Sequence, residues 1–437
     1  RAADVERVRL PGSTRSLLAL TVLLVGMAVV TGGGSRDRGW GDALTQLLAW
    51  PVLLLAVWNL AGVADGRKRL SLVGLAMLLP LGIALQWIAG ITLTPWATER
   101  AIWSVLPAVA AFAAVLALPR QARAVAAWAV VALATFSLLL GYLQLGAPQD
   151  SLLNPFPEWP PALNGLYANP NHQATSIAVA LVLVLAWLLH RQPVPAEGAG
   201  SWWATRVAMG GVALFLLVGL PLTGSRAAVL IAAAAIIAIP VANGWLRRRL
   251  RHGRRLALVA MIGGAIAGAF LLVSASAWLK VDQQQESRTA VYAATSRMAL
   301  ETLPAGTGVG SFVPWFEAHA PDSLVRRTYF NHAHSEYLQW WLEGGVLGLA
   351  WIALLLAFAV WARPRTGPDR PDWLAVGAWV GLILVLAHSA VDYPLRTPAM
   401  MTVTALLAGI AASLRIASGI HPLRPDANQE RAADRHS

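Results

Sequence analysis

Asn331–Leu349 reads NHAHSEYLQWWLEGGVLGL. Two histidines and Glu336 lead directly into an apolar run that carries Gln339 and Glu343 inside it. Polar chemistry at the mouth of a membrane helix is costly, so ionisable residues in such a place mark a functional site by default. The run continues through WIALLLAFAV, and the whole segment 336–360 reads as one membrane span.

The rest of the chain agrees with that reading. Hydrophobic residues make up 57% and charged residues 13%, with a mean hydropathy of +0.57; soluble domains average roughly 45–50% and about 25%. Length alone would imply about three soluble domains. Instead, apolar segments of about 20 residues recur nearly end to end. Twelve spans are expected, at 15–31, 44–64, 70–90, 101–119, 124–145, 172–190, 206–222, 226–243, 256–278, 336–360, 373–390 and 398–416. The fold class is an all-α polytopic membrane protein with one transmembrane domain over 1–420 and a disordered cytoplasmic tail over 421–437. The chain begins at Arg1, carries no segment that reads as a cleavable signal peptide, and has no cysteine, which excludes disulfides and thiolate chemistry.

The net charge of +12 is explained by topology rather than by nucleic-acid binding. With the N-terminus in the cytoplasm, most of the 34 Lys and Arg fall in cytoplasmic segments, including Arg67–Arg69, the RRRLRHGRR cluster at 247–255, and Arg363, Arg365 and Arg370. Many of the 20 tryptophans, among them Trp50, Trp96, Trp245, Trp361 and Trp373, stand near span ends and read as interfacial anchors.

Two long loops then lie on the extracytoplasmic side, over about 146–171 and 280–335. The first contains NPFPEWPP and NGLYANPNH, whose prolines and asparagines stiffen turns before the sixth span. The second holds a proline- and glycine-free stretch, Ser287–Leu303, that predicts a helix stopped by Pro304 and the glycines of GTGVG. That glycine run follows no strand and lacks dinucleotide-fingerprint spacing, so it reads as a tight loop on the membrane surface.

Arg226, in PLTGSRAAVL, and Arg288 stand on the face where the charge rule disfavours cations. Converging guanidinium forks would match a diphosphate. Taken singly, Arg226 also fits snorkelling to headgroups and Arg288 a solvated helix face. His334 at the helix mouth fits either a cap or a general base, and Glu343 either a site residue or a brace between helices. His332 and His334 stand in i, i+2 spacing, but no second cluster of ligands accompanies them, so no metal site is expected.

Taken in order, these residues resemble the O-antigen ligase and polymerase superfamily of bacterial membrane glycosyltransferases. HSEYLQWWLEGGVLGL is similar to its signature, with Ser335 where Asn is more usual. Arg288 precedes Tyr292, Pro304 and Gly306-Thr307-Gly308 as the family's loop arginine precedes its own aromatic, proline and Gly-x-Gly. Arg226 in TGSRAAVL resembles the membrane-edge Ser-Arg, and YANPNH, with Asn171 and His172, an element before an earlier span. The resemblance implies a glycosyltransferase C-like bundle in the bacterial inner membrane with both termini cytoplasmic and the active site facing the periplasm. It implies a polyprenyl (undecaprenyl) diphosphate-linked glycan donor, and inverting transfer without metal or cofactor. Arg226 and Arg288 would hold the donor diphosphate, and His334 would act as base. His332, Glu336, Tyr337, Gln339, Glu343, Asn171 and His172 would support them. The acceptor would be a second lipid-linked glycan in a polymerase, the favoured reading from YANPNH and HSEYLQ, or lipid A-core or a protein hydroxyl in a ligase. A twelve-span layout also fits a transporter, but a carrier gathers polar residues and broken helices near the midplane, whereas here polar residues gather in loops and span ends.

The topology is testable because the chain lacks cysteine. In intact cells an impermeant thiol reagent should label Gln284→Cys and leave Gly253→Cys untouched; the reverse pattern would invert the orientation.

Overall fold

A computed structural model describes residues 11–34, 39–63, 65–148, 150–156, 163–190, 198–242, 283–324, 330–365 and 372–417. The expected span 256–278, the basic cluster at 247–255, Trp245 and the tail after 421 lie outside the described residues. Every other expected span is a helix: α1 Gly12–Thr31, α2 Trp40–Ala61, α3 Gly66–Ile88, α4 Pro95–Ala117, α5 Arg120–Leu145, α6 Pro170–Leu189, α7 Ala199–Leu222, α8 Arg226–Ala242, α11 Glu336–Trp361, α12 Trp373–His388 and α13 Pro398–Ala417. Among the described residues between α8 and α11 stand two helices outside the expected spans, α9 Gln283–Glu301 and α10 Phe312–His319. Among the described residues nine helices are long and apolar enough to cross a membrane, and the apolar stretches Arg226–Ile239 and Trp373–His388 are shorter. The protein is a multi-pass membrane protein.

Local sequence sets the helix starts. Proline occupies the first helical position of α4 and α6, where its missing N–H costs nothing. Asn169 caps α6 through Asn171 N, Ser335 caps α11 through Leu338 N, and Asp372 caps α12 through Leu374 N. The Ser that replaces the more usual Asn before α11 therefore does a cap's work.

Two helices organise the bundle. α4 packs against α2, α3 and α13, and α6 against α5, α7, α8 and α12. Burial separates centre from periphery: 78% of the apolar window of α6 and 72% of that of α13 is buried, against 22% for α3, α7 and α11. Trp373, expected as an interfacial anchor, is instead buried and sits 5.5 Å from Trp128. Its indole is packed between helices because the α12 start lies against α5 rather than against the bilayer surface. Trp50, Trp96 and Trp361 are exposed as anchors should be.

The loop helix expected over Ser287–Leu303 is α9, beginning a turn earlier. The glycine run after it is not a surface loop. α11 is broken at Gly345, whose φ of 55° and ψ of −135° no helix contains. The GTGVG loop fills the break: Thr307 N donates to Leu342 O at 3.0 Å, Gly308 N to Glu343 O at 2.9 Å, and Val346 N to Pro304 O at 2.9 Å. Gln86, buried on α3, donates from Nε2 to both Glu343 O at 2.9 Å and Ala305 O at 3.0 Å. A Cβ on Gly345 would stand 2.2 Å from Pro304 O, and one on Gly306 2.5 Å from Glu343 O.

Gly345→Ala should therefore cost more than about 2 kcal/mol, combining left-handed strain with a backbone clash. Gly74→Ala, on α3 with open space around its Cβ position, should be neutral or stabilising by up to about 1 kcal/mol. Thermal unfolding of the two variants in detergent checks this; equal midpoints would mean that the break is not built on Gly345.

Candidate functional site

The site forms at the end of the bundle where α6 begins, α12 ends and α11 begins. The α7–α8 turn lies at the same end, since α6 and α7 run antiparallel against each other, and Arg226 opens α8 there. α8 packs on α6 and α12, whose ends carry His172 and His388.

His334 stands immediately before the Ser335 cap with φ of 52°, the left-handed region that a non-glycine residue seldom occupies. Strain of this kind costs of order 1–3 kcal/mol and persists only where surroundings enforce it. Here Tyr292 of α9 donates its hydroxyl to His334 O at 2.7 Å. The imidazole Nδ1 then lies 3.6 Å from Asp392 Oδ1, with the His334 side chain 20% exposed and Asp392 only 1%. That separation is longer than a hydrogen bond and short enough for an ion pair once His334 gains a proton. Burial would push the Asp392 carboxyl up, but the His334 side chain and nearby His172 and His388 outweigh it and hold it well below the usual carboxylate range. Asp392 is thus a fixed negative charge behind the imidazole.

Tyr393 is the hub of the cluster. Its ring centroid lies 4.9 Å from that of His172, 4.1 Å from His332 and 5.1 Å from His334. Burial and then the Asp392 charge push its hydroxyl up to about 12. His332 is held well below the ordinary imidazole value by burial and then by the Arg396 charge, so it stays neutral. Gln339 fixes its tautomer: Oε1 accepts from Ala333 N at 3.2 Å and lies 3.2 Å from His332 Nδ1, while Nε2 donates to Glu343 Oε1 at 3.2 Å. The His332 proton therefore sits on Nδ1.

Beneath this layer lies an ion triad. Arg396 donates from Nε to Glu336 Oε2 at 3.0 Å and from Nη1 to Glu343 Oε2 at 2.6 Å, with side-chain exposures of 11%, 1% and 0%. Glu343 Oε1 also accepts from Phe312 N at 3.1 Å, which ties α10 to the break. Glu336 N donates to Ser389 O and Asp392 O, and Tyr337 donates its hydroxyl to Leu386 O at 2.6 Å. Glu343 is a brace, one of the two roles its position allowed. His388 Nδ1 meets Thr175 Oγ1 at 2.6 Å, and that hydroxyl donates to Asn171 O at 2.8 Å, so Asn171 enters the site through its backbone.

The structure brings His172, His332, His334, Glu336, Gln339 and Glu343 together. Arg288, one turn before Tyr292, is near enough for its charge to act on Tyr292, His388 and Tyr393. Four residues of this cluster were not singled out in the sequence: His388, Asp392, Tyr393 and Arg396. Their signal was the polar string HSAVDYPLR, with its arginine, between two apolar spans. Among the described residues no three His, Asp or Glu side chains are arranged to hold a metal ion.

The family model described as O-antigen ligase matches residues 211–353, which run from α7 to the middle of α11 and include Arg226, Arg288, His334 and Glu343. Over those residues the chain is similar to the O-antigen ligase family. No curated protein matches it. The general activity that comes with this O-antigen ligase-type domain is glycosyl transfer of the ligase and polymerase kind. The match stops before Asp392 and Arg396, which complete the cluster from outside it.

The triad makes a stability prediction. Arg396→Met strands two buried carboxyls and should cost about 3–5 kcal/mol, whereas adding Glu336→Gln and Glu343→Gln should return much of that loss. Midpoints of thermal unfolding decide it: a triple variant no more stable than Arg396→Met would mean the three groups are not one unit.

Proposed function

We propose that the protein transfers a glycan from a polyprenyl diphosphate-linked donor to an acceptor sugar hydroxyl at the periplasmic face of the bacterial inner membrane, acting as a polysaccharide polymerase. The observation that carries this reading is the His334–Asp392 pair: a partly exposed imidazole in a strained backbone, backed by a buried carboxylate, on the face that also holds Arg288. Asp392 favours the proton on Nδ1 and leaves Nε2 as the base. The acceptor oxygen attacks the anomeric carbon and gives its proton to Nε2. The bond from that carbon to the diphosphate breaks, and the polyprenyl diphosphate leaves with the electron pair. Attack opposite the leaving group inverts the anomeric centre. Arg226 and Arg288 hold the diphosphate and offset its growing charge, work suited to permanently charged donor forks.

The break in α11 does not favour transport. Its freed carbonyls are occupied by the GTGVG loop and Gln86, whereas a carrier leaves such groups facing a solute path. The choice of polymerase over ligase rests on the YANPNH and HSEYLQ elements. Deleting the gene decides it on gels. Lipopolysaccharide cores that are capped with single units but carry no polymer support the polymerase, and uncapped cores with polymer still made assign a ligase acting on lipid A-core.

Purified protein with lipid-linked glycan tests the chemistry. His334→Ala should lose about 10²–10⁴-fold in turnover while still binding donor. Asp392→Asn should lower turnover with donor binding intact, and Arg288→Lys should weaken donor binding because the bidentate fork is gone. A His334→Ala protein that turns over normally would sink the assignment.

A further inference from the structure

Among the described residues, one hydrogen bond reaches the backbone of His334: Tyr292 of α9 donates its hydroxyl to His334 O at 2.7 Å. A residue with a side chain does not hold φ of 52° by its own preference. The Ser335 cap acts on Leu338 N, beyond the strained position. Asp392 and Tyr393 face the imidazole rather than the main chain. The hold on the backbone therefore comes from α9, 42 residues earlier in the chain. Ala333 gives α9 a second grip on the same segment. It is fully buried and belongs to one apolar cluster with Val291 and Ala294.

That cluster is separate from the core of the bundle, and α9 has its firmest packing on α11. α9 is thus a satellite helix docked by one face, with Val291, Ala294 and Met298 at helical spacing. Arg288 stands four residues before Tyr292, about 6 Å along the axis at 1.5 Å per residue, and residues so spaced share one side of a helix. One rigid element therefore carries both the cation assigned to the donor diphosphate and the hydroxyl that fixes the main chain of the base. An anion that draws Arg288 toward it moves or steadies Tyr292 as well.

We infer that Tyr292 is a positioning residue: through its hydrogen bond to His334 O, α9 aims the imidazole for proton transfer and couples that aim to the seating of diphosphate at Arg288. The inference rests on the function proposed above and adds the link between donor capture and the base. Tyr292 touches neither the diphosphate nor the acceptor in this role. It acts through the His334 backbone, so its loss is felt in turnover rather than in donor affinity, since a small misplacement of a reacting group is costly in rate.

The test removes the hydroxyl and keeps the ring. With the purified full-length protein and an undecaprenyl diphosphate-linked glycan, Tyr292→Phe should lower kcat about tenfold, the scale of one hydrogen bond, with donor Kd unchanged. Val291→Ala, which cuts into the docking face of α9, should weaken donor binding and turnover together, because it loosens Arg288 too. A Tyr292→Phe protein that follows the Val291→Ala pattern, or that turns over at the wild-type rate, overturns the positioning role. In a His334→Ala background there is no imidazole to aim, so adding Tyr292→Phe should take nothing further from the residual rate. A second tenfold loss there also overturns it.

A further measurement needs no turnover. With isotope-labelled histidine, the His334 resonance is identified among the nine imidazoles by its absence in His334→Ala. It should move in Tyr292→Phe, and undecaprenyl diphosphate should shift it in the wild type but not in Tyr292→Phe. A resonance indifferent to the Tyr292 substitution overturns the positioning, and a ligand shift that survives the substitution overturns the coupling. The expected spectra in a protein that transfers no glycan would keep the hold of Tyr292 on His334 and sink the proposed function.

Discussion

A broken helix inside a membrane must find partners for the carbonyls and amides it frees, because hydrocarbon offers none. That constraint, met at Gly345, organises the structure around it. Leu342 O and Glu343 O are taken by Thr307 N and Gly308 N, Val346 N by Pro304 O, and Gln86 reaches from α3 to close the joint. The break thereby fixes the loop after α9 and draws that helix onto α11. It also gives the first two turns of α11 a direction different from the lower part. Because those turns begin at Ser335, the orientation of His334 is set by a joint eleven residues away.

The carboxylates follow from the same joint. Glu343 lies two residues before the break and Glu336 at the first turn, so both face the α12–α13 connection rather than lipid. Two anions so placed require a cation, and Arg396 supplies it from the 394–396 turn. A buried ion pair adds little net stability but is costly to break on one side. Its effect is specificity of position: the upper part of α11 can dock on α12 and α13 in one register only. Asp392 and Tyr393, four and three residues before Arg396, are delivered to His334 by that docking.

Local information made much of this legible. Hydropathy located every span that the structure describes, since a membrane helix satisfies its own backbone and is read from one segment at a time. The helix of α9 and the polar start of α11 at His334–Glu343 were legible for the same reason: each is written in a contiguous stretch. What the sequence did not reveal is long-range. VDYPLR at 391–396 reads as a short turn between spans, and nothing local says that its aspartate meets a histidine 58 positions earlier. The glycines after Pro304 announced a tight loop, but only the structure places it within another helix. Trp373 failed as an anchor because its position near a span end was visible and its neighbour Trp128 was not.

The His334 layer also runs against stability in a way that points to use. Both ring nitrogens of His172, Nδ1 of His334, Oδ2 of Asp392, Oε1 of Glu336 and Nη2 of Arg396 are buried with no hydrogen-bond partner among the described residues. Each such group costs roughly 1–3 kcal/mol, and His334 adds backbone strain. A bundle shaped for stability alone would replace these side chains with apolar ones, as it does along α4, where Ala110–Leu116 is wholly buried and without a charge. Six of these atoms gather at one end, where α6, α9, α11 and the α12–α13 turn meet. The penalty is carried by groups that titrate, donate or accept within reach of a partly exposed imidazole. Chemistry on a polar substrate is the demand that accounts for such a concentration, and the rigid apolar bundle below is what supports it.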